Sequence, residues 1–408
     1  MKRTILKGAL MLVGGVLLGT LLMIAVYAIP AEWVWENVRA SAQTLADEGL
    51  RYEVIDGYHA SRLDDYTDAI MIGNALLTKD NPTESAMTAR RFAGGDPIGT
   101  MQRYLDGENM PTESYARYWH GYLVALKPLL TVMNLNSIRV LNMYVQLALV
   151  LLVAALMVRR GLSRYLPALF AAYASLCPAA VMQSLQYSTA FYVAFGAMAV
   201  LLAADGRVND SLFFMAVGML TSFVDFLTYP IATLGLPLVL HTNCAGGGGK
   251  REKPFGLSDC VRLCACWGAG YAGMWSGKWL VAALLTGQNV FAQAGNAMGN
   301  RLGAVDDSGD ALSLLTGVQE NLRIMFNPLT ILMLLGVLAV CAALWMRSGK
   351  LLNIRRLPPV LFCAALPFMW YMVLLNHSAE HAFFTYRALC VTLFAGVSMT
   401  IPGRKAEA

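Results

Sequence analysis

The stretch ALMLVGGVLLGTLLMIAVYA (Ala9–Ala28) decides the fold class of this chain. It runs for 20 residues without a charged side chain, and a helix of about 20 apolar residues crosses a hydrocarbon core of about 30 Å. Lys2, Arg3 and Lys7 precede it, which is typical of the cytoplasmic end of a first span. Because lipid offers no water to unpaired backbone groups, a span of this kind is helical. The run is long for the core of a cleaved signal peptide, and basic residues precede it, so we predict an uncleaved spanning helix with a cytoplasmic N-terminus.

The rest of the chain has the same character. Of its 408 residues, 57% are hydrophobic and 14% are charged, against roughly 25% charged residues in soluble domains. We therefore predict an all-α polytopic transmembrane bundle, a single domain over residues 1–408 with about ten spans and both termini in the cytoplasm. The nine further apolar runs lie at residues 138–158, 165–182, 185–204, 211–229, 230–242, 262–286, 326–346, 358–376 and 384–401.

Three polar segments separate the apolar runs. Residues 30–117 hold 15 acidic and eight basic residues, and this acidity predicts a first extracytoplasmic loop with amphipathic helices at 31–46 and 66–78. We predict that residues 287–325 form a second extracytoplasmic loop and that residues 243–261 form a cytoplasmic linker. Basic clusters on the cytoplasmic side, at 250–253 and 350–356 among others, account for the net charge of +5, so we predict membrane lipids and no nucleic acid as partners.

The sequence SRLDDYTD (Ser61–Asp68) in the 30–117 loop is the sharpest candidate for chemistry. A carboxylate of Asp64 or Asp65 facing a cleft above the membrane can accept a proton from a hydroxyl or hold a cation. Asp68 lies one helical turn from Asp64, so the two would share a face. The alternative is a structural one, because Ser61 with Asp64 fits a capping box at a helix N-terminus.

A second candidate is Asp225, an acidic residue within a predicted apolar run and just ahead of Pro230. An ionisable group in a membrane costs several kcal/mol unless it is paired or hydrated, so such a residue is a functional candidate. The alternative places Asp225 in the interface, where Ser222 or Thr228 hydrogen-bonds its carboxylate.

Basic side chains gather at the start of the last span. His377 and His381 share a helical face, and Arg387 follows inside the predicted membrane boundary. A guanidinium with two imidazoles suits the phosphate group of a lipid in the outer leaflet. Alternatively, Arg387 snorkels to headgroups and the histidines are interfacial.

Two aromatic segments accompany these residues. Lys278 lies between two tryptophans on the 262–286 run, where it could meet the same phosphate or snorkel within an aromatic belt. The segment 115–122 reads as an interfacial helix, in which Tyr118 and Trp119 could alternatively stack on a sugar.

This organisation resembles the GT-C superfamily of membrane glycosyltransferases, which take sugars from polyprenyl-phosphate donors. The resemblance covers most of the chain as organisation: a first span, a long outer loop with the Asp64-Asp65 doublet and amphipathic helices, about ten spans, and a His/Arg cluster near the last one. It implies transfer of a sugar to a glycan or lipid acceptor on the outer face of the plasma membrane, with inversion, in the synthesis of cell-envelope polysaccharide or glycolipid.

The resemblance also implies roles for residues. Asp64 would take the proton of the acceptor hydroxyl as general base, while Asp65 would orient the acceptor or help to hold a divalent cation, a metal requirement that stays open. Arg387, with His377, His381 or Lys278, would neutralise the departing phosphate. The remaining candidates for substrate or acceptor binding are Asp225, Asp68, Tyr118 and Trp119. Two other functions fit the same pattern, a transporter or flippase for a lipid-linked substrate and a polysaccharide polymerase or ligase.

Overall fold

A computed structural model describes residues 2–245, 255–306, 308–348 and 357–401 of the chain. Much of the predicted cytoplasmic linker, with the basic cluster at 250–253, lies outside the described residues, as does the basic cluster at 350–356.

The described part is helical apart from one short ribbon, which confirms the all-α prediction. The ribbon pairs β1 (Arg91–Phe92) with β2 (Thr112–Glu113) in antiparallel register. The α-helices are α1 (Lys2–Tyr27), α2 (Trp35–Glu48), α3 (Asp65–Leu76), α4 (Pro82–Thr88), α5 (Pro97–Leu105), α6 (Leu123–Leu130), α7 (Leu135–Arg159), α8 (Leu166–Ser175), α9 (Pro178–Val181), α10 (Leu185–Ala204), α11 (Asp210–Val224), α12 (Ile231–Ala245), α13 (Leu257–Thr286), α14 (Val290–Leu302), α15 (Thr316–Met325), α16 (Pro328–Ser348), α17 (Leu357–Val373), α18 (Leu375–Glu380), α19 (Ala382–Thr385) and α20 (Cys390–Met399).

Five segments of the described chain are long and apolar enough to cross a membrane: Arg3–Tyr27, Leu135–Arg159, Leu185–Ala204, Pro328–Met346 and Ala382–Met399. Three apolar helices, α11, α12 and α17, are shorter. At 1.5 Å per residue the 15 residues of α11 reach about 22 Å, less than a hydrocarbon core of about 30 Å. The figure of ten spans and the orientation across the membrane stay predictions.

The apolar run at 165–182 is interrupted in the middle. Helix α8 ends at Ser175, Cys177 adopts a left-handed backbone with φ +55°, and Pro178 begins α9. Proline has no N–H to continue the preceding helix, so the chain turns here and leaves the carbonyl of Leu176 free to accept a hydrogen bond from outside the helix.

Helices α11 and α13 cross with their backbones almost touching. A Cβ added to Gly218 would lie 2.1 Å from the carbonyl oxygen of Trp267, and one added to Gly270 would lie 2.0 Å from that of Met215. Glycine at these positions allows the two backbones to approach closely. In lipid, where no hydrophobic force drives helices together, such close approach gives the van der Waals contact that holds them.

We call residues 30–122 the cap, because they fold over one end of the helical bundle. Of the two cap helices that the sequence predicts, α2 buries one face, through Val38, Ala42 and Leu45. Helix α3 is buried on nearly all sides, since α2, α5, α6 and α10 surround it. The cap therefore packs as part of the bundle's core.

Candidate functional site

Asp64 caps the N-terminus of α3. Its carboxylate accepts hydrogen bonds from the backbone N–H of Thr67 at 3.3 Å and from the Thr67 hydroxyl at 2.7 Å. Asp64 is 5% exposed, and burial raises the pKa of its carboxyl. The predicted capping box of Ser61 with Asp64 is therefore wrong, because α3 begins at Asp65 and Asp64 itself is the capping residue, while Ser61 donates to carbonyls of the preceding turn. The expected place of an acidic residue at this helix start is confirmed.

Asp65 belongs to a hydrogen-bond network centred on Arg139, a residue that the sequence did not single out. Arg139, in the second turn of α7, forms two hydrogen bonds with Glu48, at 2.6 and 2.9 Å, and a third with one oxygen of Asp65, at 3.2 Å. The other Asp65 oxygen, Oδ2, has no hydrogen-bond partner among the described residues. Burial, with repulsion from the Asp68 carboxylate, raises the pKa of Asp65 to about 9. A lone arginine at the start of an apolar run was the signal for this network.

Asp68 caps a second helix, α10. It accepts hydrogen bonds from the backbone N–H groups of Leu185, at 2.9 Å, and Gln186, at 3.0 Å. Burial raises the pKa of Asp68 to about 7 against the lowering effect of these two bonds. A carboxylate at a helix N-terminus is favoured by the helix dipole, so Asp68 ties α3 of the cap to α10.

Arg387 is fully buried, and its guanidinium N–H groups donate hydrogen bonds to three backbone carbonyls. Its Nε donates to Leu176 at 2.9 Å, Nη1 to Phe383 at 3.1 Å and Nη2 to Ala60 at 3.2 Å. The guanidinium carbon also lies 4.0 Å from the centroid of the Tyr187 ring. Arg387 therefore joins the interrupted 165–182 region to the cap, and its role in binding phosphate stays a prediction.

His377 and His381 come together as predicted, with ring centroids 4.9 Å apart. His377 Nε2 donates to the carbonyl of Leu227 at 2.7 Å, and His381 Nε2 accepts from Arg301 Nη1 at 2.6 Å. Burial lowers the pKa of His377 well below its ordinary value, and burial with the charge of Arg301 lowers the pKa of His381 to about 3. Both imidazoles are neutral at physiological pH, so the positive charge here belongs to Arg301.

Lys278 and Trp119 also fasten the cap. The Lys278 ammonium donates to the carbonyls of Ala86, at 2.8 Å, and Met87, at 3.2 Å, at the C-terminal end of α4. Trp119 Nε1 donates to the carbonyl of Met274 at 2.8 Å. Cations are favoured at helix C-termini, which gives Lys278 a structural reason to be buried.

Asp225 lies where α11 ends. Its carboxylate accepts hydrogen bonds from the Thr189 hydroxyl at 3.1 Å and the Thr228 backbone N–H at 2.9 Å. Two residues on, Leu227 adopts a left-handed backbone with φ +67°. A branched residue held in this region costs roughly 1–2 kcal/mol, and such strain clusters at functional sites.

A cavity of about 590 Å³ lies between α6, α7, α10 and α11. Its wall is mostly apolar, and its opening is bordered by exposed Leu141, Val145 and Leu220 on α7 and α11. The polar side chains in the wall are Tyr122, Asn142, Ser188, Thr189 and Tyr192. We call it the large cavity.

A second, narrower cavity lies between the cap and α13–α14, and its accessible space is about 20 Å³ against about 590 Å³ in the large cavity. We call it the small cavity. Tyr118, Trp275 and Trp279 supply its aromatic wall, and Arg117 and Arg301 supply its charge. Of the residues that the sequence predicts for substrate binding, Tyr118 lines this cavity, whereas neither cavity is lined by Asp64, Asp225 or Arg387.

One thin wall separates the two cavities. It consists of segments 118–122 and 223–227, joined by a 2.8 Å hydrogen bond from the Gly121 N–H to the Phe223 carbonyl. The Phe226 ring packs 5.4 Å from Tyr118, which lines the small cavity, and 5.1 Å from Tyr122, which lines the large one. Asp225 is part of this wall, and its partner Thr189 faces the large cavity.

The described residues do not bring together the three or four side-chain ligands that a protein metal site usually has. Within residues 2–245, 255–306, 308–348 and 357–401, no group of three or more His, Cys, Asp and Glu side chains is placed to bind one ion. Whether Asp64 and Asp65 hold a divalent cation together with substrate oxygens stays open.

The fold and cavities define an all-helical protein with a cap over one end, and five helical segments of its described part are long and apolar enough to cross a membrane. Comparison with protein-family models, with curated proteins and with solved structures finds no significant match for this chain.

Proposed function

We propose that the protein is an integral-membrane glycosyltransferase that moves a sugar from a polyprenyl-phosphate donor to a glycan or lipid acceptor at the cap end of the bundle. The observation that carries this proposal is the large cavity, which is apolar, opens between α7 and α11, and reaches the wall that contains Asp225. A lipid chain can enter such a cavity from the membrane while its headgroup stays at the wall.

The lining of the large cavity supports a chain rather than a water-soluble substrate. Most of its wall consists of aliphatic and aromatic side chains, among them Leu126, Leu129 and Val193. Burial of apolar surface favours a hydrocarbon tail at roughly 25 cal/mol per Å² where that tail would otherwise meet water, and the residues at the opening are themselves apolar and exposed.

Glycosyl transfer also needs a carboxylate that can take the acceptor's proton. The resemblance favours Asp64, whose oxygens hold Thr67 at the start of α3. Asp225 is the carboxylate nearer to the cavities, because its hydrogen-bond partner Thr189 lies in the wall of the large one. We propose that one of these two aspartates is the general base.

Substitution to asparagine tests both residues with the fold preserved. Asparagine caps a helix about as well as aspartate does, and its oxygen can still accept one of the bonds to Asp225, but it cannot take a proton at neutral pH. We expect either Asp64→Asn or Asp225→Asn to abolish sugar transfer from polyprenyl-phosphate donors in proteoliposomes. Full activity in both variants would refute the assignment of the base.

A steric block tests the large cavity itself. Val145→Trp would fill the opening, while Leu151→Trp places the same side chain on the exposed face of α7 away from the cavity. We expect the first variant to lose transfer and the second to keep it. If sealed vesicles instead show the lipid-linked substrate crossing the bilayer without sugar transfer, the protein is a flippase and glycosyl transfer is excluded.

A further inference from the structure

Two arginines line the small cavity, and no carboxylate among its lining residues balances their charge. Arg117 and Arg301 lie in its wall, and neither forms an ion pair with a carboxylate in the part of the chain that the structure describes. Arg301 contacts a neutral imidazole, that of His381, and Arg117 stacks 4.4 Å from the centroid of the Tyr115 ring. Two guanidinium groups held near one space without an anion are arranged for an anionic ligand.

Charges around the cavity have the same sign. Burial raises the pKa of Tyr118 against the lowering effect of Arg301 and Arg117, and burial together with the charge of Arg301 lowers the pKa of His377 and of His381. Asp225 is part of the wall between the cavities, where Thr189 and Thr228 already donate hydrogen bonds to its two oxygens. The cavity therefore faces guanidinium groups and neutral rings.

Two buried donors at the cavity lack acceptors. Arg117 Nε and Trp275 Nε1 have no hydrogen-bond partner among the described residues, and Trp275 is only 8% exposed. A buried N–H without an acceptor is costly, so such groups in a native fold call for an explanation, and a bound oxyanion would supply one. A phosphoryl group has three oxygens that can accept from guanidinium and indole donors together.

The remaining wall indicates what carries the phosphoryl group. Trp275 and Trp279 stand with ring centroids 6.0 Å apart, and Tyr118 meets Trp275 edge-on at 6.0 Å. Aromatic faces beside a charged site suit the apolar face of a sugar ring. The accessible space in the small cavity is about 20 Å³, which is room for about one water molecule, so a phosphoryl group enters only if the Arg117 and Arg301 side chains move outward.

We infer that the small cavity is a phosphoryl-binding site in which Arg117, Arg301 and the indole N–H of Trp275 hold the oxygens. The identity of the ligand as the headgroup of a lipid-linked sugar rests on the proposed function, whereas anion binding does not. The site differs from the cluster that the sequence predicts, since Arg387 and Lys278 already bind carbonyls elsewhere.

Binding of inorganic pyrophosphate to the purified full-length protein in detergent tests this site by calorimetry. We expect saturable binding that Arg117→Gln and Arg301→Gln each weaken at least tenfold and that Trp275→Phe weakens several-fold. Arg103→Gln, which removes an exposed arginine of the cap away from the cavity, is the matched control and should bind as the wild type does. Absence of binding in the wild type, or an equal loss in the control, overturns the proposal.

Two further measurements complete this test: one distinguishes a lost ligand contact from a lost fold, and the other distinguishes a lipid phosphate from a free anion. Arg117→Lys keeps a charge where Arg117→Gln does not, so partial recovery of binding at unchanged melting temperature distinguishes a lost ligand contact from a lost fold. Dodecyl phosphate can place its phosphate in the small cavity and its chain in the large one only if the wall of segments 118–122 and 223–227 opens. Tighter binding than that of pyrophosphate, lost in Val145→Trp, would show that the wall opens for a lipid phosphate, whereas equal binding would identify a free anion as the ligand. Pyrophosphate binding without sugar transfer would leave this site standing and exclude the glycosyltransferase.

Discussion

The Asp68 carboxylate accepts a hydrogen bond from the backbone N–H of Leu185 at 2.9 Å, across 117 residues of sequence. With the bond from Gln186, this contact satisfies two of the N–H groups that every helix leaves unpaired at its start. The cap is thus fastened to the first turn of α10, a helix long enough to cross the membrane.

Removal of that carboxylate should loosen the cap. We expect Asp68→Ala to lower the free energy of unfolding by about 1–3 kcal/mol, because two buried N–H groups lose their acceptor. Thermal unfolding in detergent measures the change. Asp106→Ala, which removes an exposed ion pair with Arg39, should cost less than about 1 kcal/mol. If the two variants melt alike, Asp68 does not fasten the cap.

Asp65 makes stability depend on pH in a defined direction. Its pKa is raised to about 9 in the folded state, so the folded protein holds this proton more tightly than the unfolded chain does. The resulting stabilisation is complete below the ordinary pKa near 3.8 and is lost as the pH rises toward about 9. Asp65→Asn cannot titrate.

We therefore expect the melting temperature of the wild type to fall more between about pH 5 and about pH 9 than that of Asp65→Asn. The two proteins should be closest near pH 5, where asparagine resembles the protonated acid. Asp106→Asn, at an exposed position, should follow the wild type throughout. Parallel curves for Asp65→Asn and the wild type would contradict the raised pKa.

Hydropathy was sufficient to predict the helical class, because the length of an apolar run and its lack of charge are properties of the sequence itself. The position of Asp64 at a helix start could also be predicted, since a capping residue and its helix are neighbours in the chain. The pairing of the two histidines followed from their spacing of four residues.

Contacts between distant segments could not be predicted in the same way. Arg387 donates to the carbonyls of residues 60 and 176 as well as to the local carbonyl of Phe383, and nothing in the sequence relates the two distant positions to Arg387. Likewise Arg117 and Arg301 line the same cavity although they lie 184 positions apart in the sequence. Charged residues near apolar runs can therefore be recognised in the sequence as candidate site residues, whereas the groups that they contact cannot.

Arg387 offers a prediction that separates packing from ligand binding. We expect Arg387→Lys to lower the free energy of unfolding by about 2 kcal/mol or more, since one ammonium cannot reach three carbonyls and lie flat on the Tyr187 ring. Thermal unfolding and binding of a lipid-phosphate donor are measured on the same preparation. A stable variant with weaker donor binding would favour the phosphate role that the sequence indicates.

The crossing of α11 and α13 gives the sharpest test of the fold, because one helix holds both the sensitive glycine and its control. Gly270→Ala would place a Cβ 2.0 Å from the backbone oxygen of Met215, so the helices must separate, and we expect a loss of about 1–3 kcal/mol or a failure to fold. Gly268, two residues earlier, has nothing within 4 Å of the added Cβ. Gly268→Ala should therefore be neutral or stabilising by up to about 1 kcal/mol through helix propensity. Thermal unfolding of the two variants in the same detergent measures the difference, and equal melting temperatures would show that the helices do not cross at Gly270.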